Sequence, residues 1–268
     1  MSPVARRRLD AELVRRKLAR SREHAGQLIT AGRVKVAGQV ATKAATQVEP
    51  SAALVVEESE EGPEYVSRGG HKLAGALAGL PGLDVTGRRA LDAGASTGGF
   101  TDVLLRAGAA HVVAVDVGYG QIAWSLRTDE RVTVVERLNI RDMTPEHVGE
   151  PPSLIVGDLS FISLTKVLAP IQACAAPDAD YVMMVKPQFE VGKARVGQGG
   201  VVRDPEVRKD AVREVAAYAA TLGLGVSGVV ASPLPGPAGN VEYFLWLKAG
   251  APPLAEEDLA RAVAEGPA

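Results

Sequence analysis

The chain has 268 residues, 46% hydrophobic and 23% charged, with a net charge of −2. That composition excludes a disordered or fibrous chain and supplies core material for one large domain and one small one. One cysteine, Cys174, and four histidines exclude an internal disulfide and leave no ligand cluster at zinc spacing, so no metal is expected and a reducing, cytoplasmic setting fits. No stretch reaches the roughly 20 apolar residues of a membrane span, so no stable membrane association is expected. The charged start from Arg6 onward lacks the apolar region of a signal peptide.

Charge is unevenly placed. Residues 1–48 hold eleven lysines and arginines against three acids, a net +8, so the remainder carries −10. A basic module joined to an acidic one points to a polyanion-binding part and a separate working part. The alternative is a solvated basic face. Leu9, Leu13 and Val14 space as one face of a helix, with Asp10 and Glu12 early and Arg15, Arg16 and Lys17 late, as the helix dipole favours. Ser21 reads as the N-cap of a second helix over Arg22–Ala31, ended by Gly32. Arg33–Val36 alternates as a strand and runs into a turn at Gly38. Residues 8–48 resemble the S4 RNA-binding domain. That resemblance implies that Arg6, Arg20, Ser21, Arg22, Arg33 and Lys35 face structured RNA. Ala37 stands where many S4 domains carry Asn before the turn glycine.

Residues 50–63 contain a short strand, then the acids Glu57, Glu58, Glu60 and Glu61, then Gly and Pro. They read as the end of the small domain and a solvated linker. The expected division is an S4 domain over 1–60, a linker over 61–66 and a second domain over 67–268. From Ser67 a helix runs to about Leu80, and strands and helices then alternate. Strands are expected at Arg89–Ala93, His111–Asp116, Val132–Glu136, Ser153–Asp158, Tyr181–Lys186, Gly225–Ala231 and Val241–Lys248. Helices are expected at Gly99–Ala107, Gln121–Arg127, Leu164–Ala175, Pro205–Leu222 and Ala255–Ala264. The alternation, with strands apolar almost throughout, predicts a mainly parallel α/β sheet covered on both faces.

Between the first strand and its helix lies Asp92-Ala93-Gly94-Ala95-Ser96-Thr97-Gly98-Gly99-Phe100. Such a glycine turn lets a nucleotide-like ligand approach the backbone and the helix start. Gly94, Gly98 and Gly99 miss the dinucleotide spacing, and no Lys-Ser/Thr follows, so neither that fingerprint nor a P-loop is present. Asp116 ends the next strand, 24 positions after Asp92, where a carboxylate accepts ribose hydroxyls. Asp92 at the strand end disfavours a pyrophosphate and suits a cationic, amino-acid-bearing ligand, which points to S-adenosylmethionine. For either aspartate alone, a helix cap or turn bond is the rival role. Asn139 is an adenine contact or a turn residue.

Four charges stand at strand ends or beside the first strand, where a core would not place them: Lys72, Asp158, Lys186 and Glu242. Lys186, held by Asp158 and Glu242, would orient a ribose 2′-hydroxyl, as general base or by positioning alone. The glycine stretch, the end of the Asp158 strand, Val185-Lys186-Pro187-Gln188-Phe189-Glu190 and Gly239-Asn240-Val241-Glu242 resemble the FtsJ/RrmJ-type ribose 2′-O-methyltransferases. With the S4 module in front, the whole chain is similar to the TlyA family, known both as ribosomal RNA methyltransferases and as haemolysins. The resemblance implies a class I S-adenosylmethionine-dependent fold, Rossmann-like with a seven-stranded mainly parallel sheet behind a small α+β S4 domain. It implies the catalytic set Lys72, Asp158, Lys186 and Glu242. It implies cofactor contacts from Asp92, Gly94, Ala95, Ser96, Thr97, Gly98, Gly99, Phe100, Asp116, Asn139, Asp158 and Phe161, the last packed against the cofactor. The implied substrate is cytidine in 16S and 23S ribosomal RNA on ribosomal subunits, with a link to capreomycin sensitivity. The rivals are a non-catalytic RNA-binding protein and a membrane-lytic haemolysin. Gly192–Val202 is a lid or a flexible loop, His71 a phosphate contact or a solvated residue, and Ser232–Pro237 a turn framing the substrate pocket. Trp124 and Trp246 are expected in the core.

Overall fold

The computed structural model describes residues 6–19, 21–57 and 64–267, which fall into two compact units meeting at the Glu64–Tyr65 bond. Arg20, Glu58, Glu60, Glu61 and the first half of the expected linker lie outside the described residues.

The first unit contains β1 (Arg7–Arg8), α1 (Leu9–Arg15), α2 (Arg22–Thr30), β2 (Val34–Val36), β3 (Gln39–Val40), β4 (Gln47–Val48) and β5 (Leu54–Val56). β1 pairs with β4, and β2 lies antiparallel between β3 and β5. Leu9 and Leu13 pack with Ala25, Leu28, Ile29 and Val34 in a small core. The Ser21 hydroxyl accepts the His24 N–H at 3.1 Å, the expected cap. Asp10 and Glu12 stand in the first turn of α1 as expected, and both are also buried. Asp10 accepts guanidinium bonds from Arg8 at 2.9 Å and Arg22 at 2.8 Å. Glu12 accepts them from Arg15 at 2.6 Å and Arg16 at 2.8 Å. Those two arginines hold the Glu12 carboxyl down at about 2. A buried carboxylate is tolerable only with such partners. The two-residue turn between β2 and β3 needs left-handed backbone at both positions, with φ 48° at Ala37 and 83° at Gly38.

The second unit begins with α3 (Arg68–Gly79), β6 (Arg89–Ala93), α4 (Gly99–Arg106), β7 (His111–Val115), α5 (Trp124–Arg127), β8 (Val132–Val135), α6 (Pro145–Val148) and β9 (Leu154–Gly157). It continues with α7 (Leu168–Ala173), β10 (Asp180–Val185), α8 (Pro187–Glu190), α9 (Pro205–Thr221), β11 (Leu224–Ala231), β12 (Tyr243–Ala249) and α10 (Glu256–Glu265). Its sheet has seven strands in the order β11-β12-β10-β9-β6-β7-β8. β12 runs antiparallel to both neighbours and the remaining strands run parallel. Apolar clusters cover both faces, one around Leu91, Ile155, Tyr181 and Leu245, the other around Leu73, Leu104, Val182 and Phe244. The strand order reverses between β6 and β9, which opens a crevice at their carboxyl ends.

Three expected elements differ. The helix expected over Gln121–Arg127 starts only at Trp124, because Ala123 is extended with ψ 138°. The helix expected over Leu164–Ala175 is a 3₁₀ turn at Leu164–Lys166 followed by α7. Pro170, which lacks an N–H, is accommodated in the first turn of a helix that begins at Leu168. The last strand starts at Tyr243, so Glu242 precedes it. Trp124 is 75% exposed and not in the core, whereas Trp246 packs against one cluster and donates to Asp180 at 2.8 Å.

Candidate active site

The loops after β6 and β9 meet with one glycine between them. Gly94 has φ 86°, and a Cβ there would lie 2.9 Å from the Asp158 carbonyl oxygen. Gly98, with φ 94°, caps the start of α4, and a Cβ there would meet Leu126 at 2.3 Å. Beneath this turn Asp92 is fully buried and accepts the N–H and the hydroxyl of Thr101 at 2.9 and 2.7 Å. Its other oxygen has no partner among the described residues. Burial pushes the Asp92 carboxyl up to about 7, helped by the charges of Asp158 and Asp116 and opposed by the Thr101 bonds. Asp116 accepts the backbone N–H groups of Ser96 at 2.8 Å and Gly118 at 2.6 Å.

Two cavities open on this edge. One, of about 310 Å³, is lined by Lys72, the turn residues Gly94–Thr97, Gly99 and Phe100, Asp158, Ser160, Lys186, Pro235 and Pro237. The other, of about 490 Å³, is lined by Asp116, Val117, Leu138, Asn139, Ile140, Leu159, Phe161 and Ile162. Gly94, Ser96, Asp158 and Ser160 line both, so the cavities adjoin. Asp92 and Gly98 line neither. Asp92 instead ties the strand end to the first turn of α4.

The four edge charges form two ion pairs. Lys186 Nζ lies 2.6 Å from Asp158 Oδ1 and donates to the Ser160 hydroxyl at 2.8 Å. Lys72 Nζ donates to Glu242 Oε2 at 2.6 Å. The expected hold of Glu242 on Lys186 is thereby corrected. The register of β10 with β12 sets Val185 beside Tyr243, yet the Glu242 carboxylate pairs with the lysine of α3. Gly236 leaves room for it, since a Cβ there would lie 2.6 Å from Glu242 Oε1. Buried Asn240 accepts the Val202 N–H and donates to the Gly200 carbonyl, both at 2.9 Å, which ties the glycine-rich segment 192–202 to the approach to Glu242.

Asn139 takes the turn role and also stands in the lining of the larger cavity. It caps the 3₁₀ turn Ile140–Asp142 by accepting the Arg141 N–H. Phe161 is 91% exposed, with φ 63° and its ring centroid 5.1 Å from that of Phe189. Ser96, Arg137 and Phe161 all adopt left-handed backbone in loops at this one edge, the kind of local strain that gathers at working sites. Two residues to which the sequence assigned no role also stand here. Ser160 bonds Lys186, and buried Glu190 accepts the Ser163 hydroxyl at 2.5 Å and the Leu164 N–H at 3.0 Å. Glu190 ends one of the stretches that resemble the FtsJ/RrmJ-type enzymes and Ser160 follows the end of the Asp158 strand, so a motif signal covered both without attaching a role to either.

Within the first unit, Arg22 is exposed and stands on Asp10, and Arg6 lies 3.4 Å from Glu49. Arg33 bonds the Glu57 carbonyl and the Glu64 carboxylate, and Lys35 pairs with Glu57. The acids flanking the linker thus partly cover the expected RNA face. Among the described residues, no helix is long and apolar enough to cross a membrane, and no group of three or more His, Cys, Asp or Glu could hold a metal ion.

The profile of the FtsJ-like methyltransferase family matches residues 65–249, and that of the S4 domain matches residues 7–54. The 16S/23S rRNA (cytidine-2′-O)-methyltransferase TlyA of Mycobacterium tuberculosis is 58% identical over 271 residues, covering 98% of this chain and 100% of the relative. Hemolysin A of Brachyspira hyodysenteriae is 38% identical, covering 88% of this chain and 98% of the relative. A solved structure described as a hemolysin, from Streptococcus thermophilus, superposes with a TM-score of 0.73 at 36% identity and covers 98% of each chain.

Proposed function

The chain belongs to the FtsJ-like methyltransferase family, and on that premise we propose that it transfers a methyl group from S-adenosylmethionine to the ribose 2′-hydroxyl of cytidine in 16S and 23S ribosomal RNA, acting on ribosomal subunits in the cytoplasm. The observation that carries this reading is the junction of the two cavities at Gly94, Ser96, Asp158 and Ser160, with the Lys186–Asp158 pair beside the glycine turn.

The residues fit the cofactor. Val117, Leu138, Ile140 and Ile162 give the larger cavity apolar walls suited to an adenine, and the Asp116 carboxylate suits ribose hydroxyls. Gly94 to Thr97, Gly99, Phe100, Asp116, Asn139, Asp158 and Phe161 would hold the cofactor, with Asp92 and Gly98 shaping the turn behind them; when bound, the cofactor supplies an electrophilic methyl on a sulfonium. Lys72 and Lys186 bring two ammonium groups to the smaller cavity. They orient the incoming hydroxyl and stabilise negative charge as it develops on the oxygen. Asp158 and Glu242 hold these lysines in place. The S4 domain over 1–60 would grip structured RNA through Arg6, Arg20, Ser21, Arg22, Arg33 and Lys35, and the linker over 61–66 joins it to the methyltransferase domain over 67–268.

The test is methyl transfer from labelled cofactor to isolated 30S and 50S subunits, with the modified nucleotide mapped. Transfer to a cytidine 2′-oxygen is expected. No transfer to any ribosomal substrate overturns the reading.

A further inference from the structure

We propose that Ser160 is a positioning residue for Lys186 and sets the direction in which its ammonium group faces the acceptor cavity. The proposal rests on the methyltransferase reading above and deepens it. A lysine ammonium has three N–H bonds. Asp158 Oδ1 lies 2.6 Å away as an ion pair outside hydrogen-bond geometry, and the Ser160 hydroxyl accepts one N–H at 2.8 Å, so Ser160 supplies the directional contact and N–H bonds remain for an incoming oxygen. A lysine held by a carboxylate alone swings about the ion pair, and a second, fixed acceptor removes that freedom.

The surroundings fix Ser160 in turn. Phe161 follows at once with φ 63°, a conformation that a phenylalanine keeps only where neighbouring structure imposes it. The loop closes at Ser163 and Leu164, both bonded to Glu190. Glu190 ends α8, and α8 begins immediately after Lys186. The loop after β9 and the segment after β10 are therefore fastened twice, by Glu190 at one end and by Ser160 to Lys186 at the other. Ser160 also lines both cavities, so it stands where donor and acceptor would meet. The residue itself is exposed, so its hydroxyl does nothing for the core.

Ser160→Ala removes the hydrogen bond of the Lys186 ammonium but leaves its ion pair with Asp158, and the fold should survive it. Its kcat for methyl transfer is expected to fall about tenfold to a hundredfold, the scale of a misplaced catalytic group, with cofactor KM within about twofold. Ser160→Thr, which keeps the hydroxyl, should recover most of the loss. A second readout does not depend on activity. In protein labelled with ¹⁵N-lysine, the ammonium resonance assigned to Lys186 by its absence in Lys186→Ala should shift in Ser160→Ala and return in Ser160→Thr. An unmoved resonance overturns the proposal, whether kcat falls or not, because any loss then comes from another contact. Full activity in Ser160→Ala also overturns it. If the wild-type protein transfers no methyl group, the methyltransferase reading fails, while the resonance still decides the role of Ser160.

Discussion

The two units use buried carboxylates in opposite ways. In the first, Asp10 and Glu12 each hold two arginines, and the side chains of Arg8, Arg15 and Arg22 remain 45%, 48% and 60% exposed. In the second, Glu242 and Asp158 each hold one lysine, and those lysines are only 8% and 9% exposed. Each of these three arginines turns Nε and Nη2 of its planar fork onto the carboxylate, which fixes a positive charge at the surface of this unit. Anchored lysines present a compact charge to a cavity, the geometry that suits one hydroxyl. One architecture of support thus holds cations at the surface of one unit and beside a cavity in the other.

The sharpest way to break this contrast is Lys186→Ala. It should lower kcat by about a thousandfold while cofactor affinity, read by calorimetry, stays nearly unchanged; joint loss of both would make the lysine structural. Lys72→Ala should instead cost stability, about 3 kcal/mol by denaturant unfolding, because it leaves the buried Glu242 carboxylate unpaired. Lys186→Ala, whose Asp158 partner is 24% exposed, should cost less, and the reverse order would refute the distinction between the pairs.

Asp92 offers a pH test. Its folded-state value of about 7 lies above the ordinary 3.8, so the folded state holds the proton more tightly. The associated stability is full below about pH 4 and is lost as pH rises through about 7, on the order of 4 kcal/mol. Thermal melts of Asp92→Asn should lack that loss, so the melting temperature should fall less than wild type over this range. In the first unit, the double substitution Arg22→Ala/Arg33→Ala should weaken RNA binding about tenfold at moderate salt and flatten its salt dependence, with cofactor binding unmoved. Equal RNA affinity would refute the display role. The smallest effect belongs to Ala37→Asn, which should stabilise the β2–β3 turn by about 0.5 kcal/mol in unfolding experiments, since Asn tolerates left-handed backbone better than Ala.

Local pattern carried much of this reading. Strands that stay apolar and then end on Asp158 or Lys186 announce a charged carboxyl edge, and Gly94 with Gly98 announces the turn beside it. What local pattern missed depends on distance along the chain. Lys72 and Glu242 are separated by 170 positions, so the register of β12 and the place of α3 had to be known before the two could be paired. Asp10 and Glu12 look like ordinary first-turn acids until the packing of α1 on α2 buries them. Trp124 looks like core by size alone, and only the extended Ala123 and the late start of α5 leave it in solvent. Ser160 follows a motif strand, but a serine in a loop announces no role.

Gly236 has a consequence for how this chain can change over time. Its missing side chain is the space that the Glu242 carboxylate occupies, at 2.6 Å from where a Cβ would stand. A side chain at 236 would push the Glu242 carboxylate from the position in which it meets Lys72. A lineage that kept the Lys72–Glu242 pair is therefore expected to favour glycine at 236, and one that gave it up would be freer there. Selection on a charge is thus felt at a position that carries none.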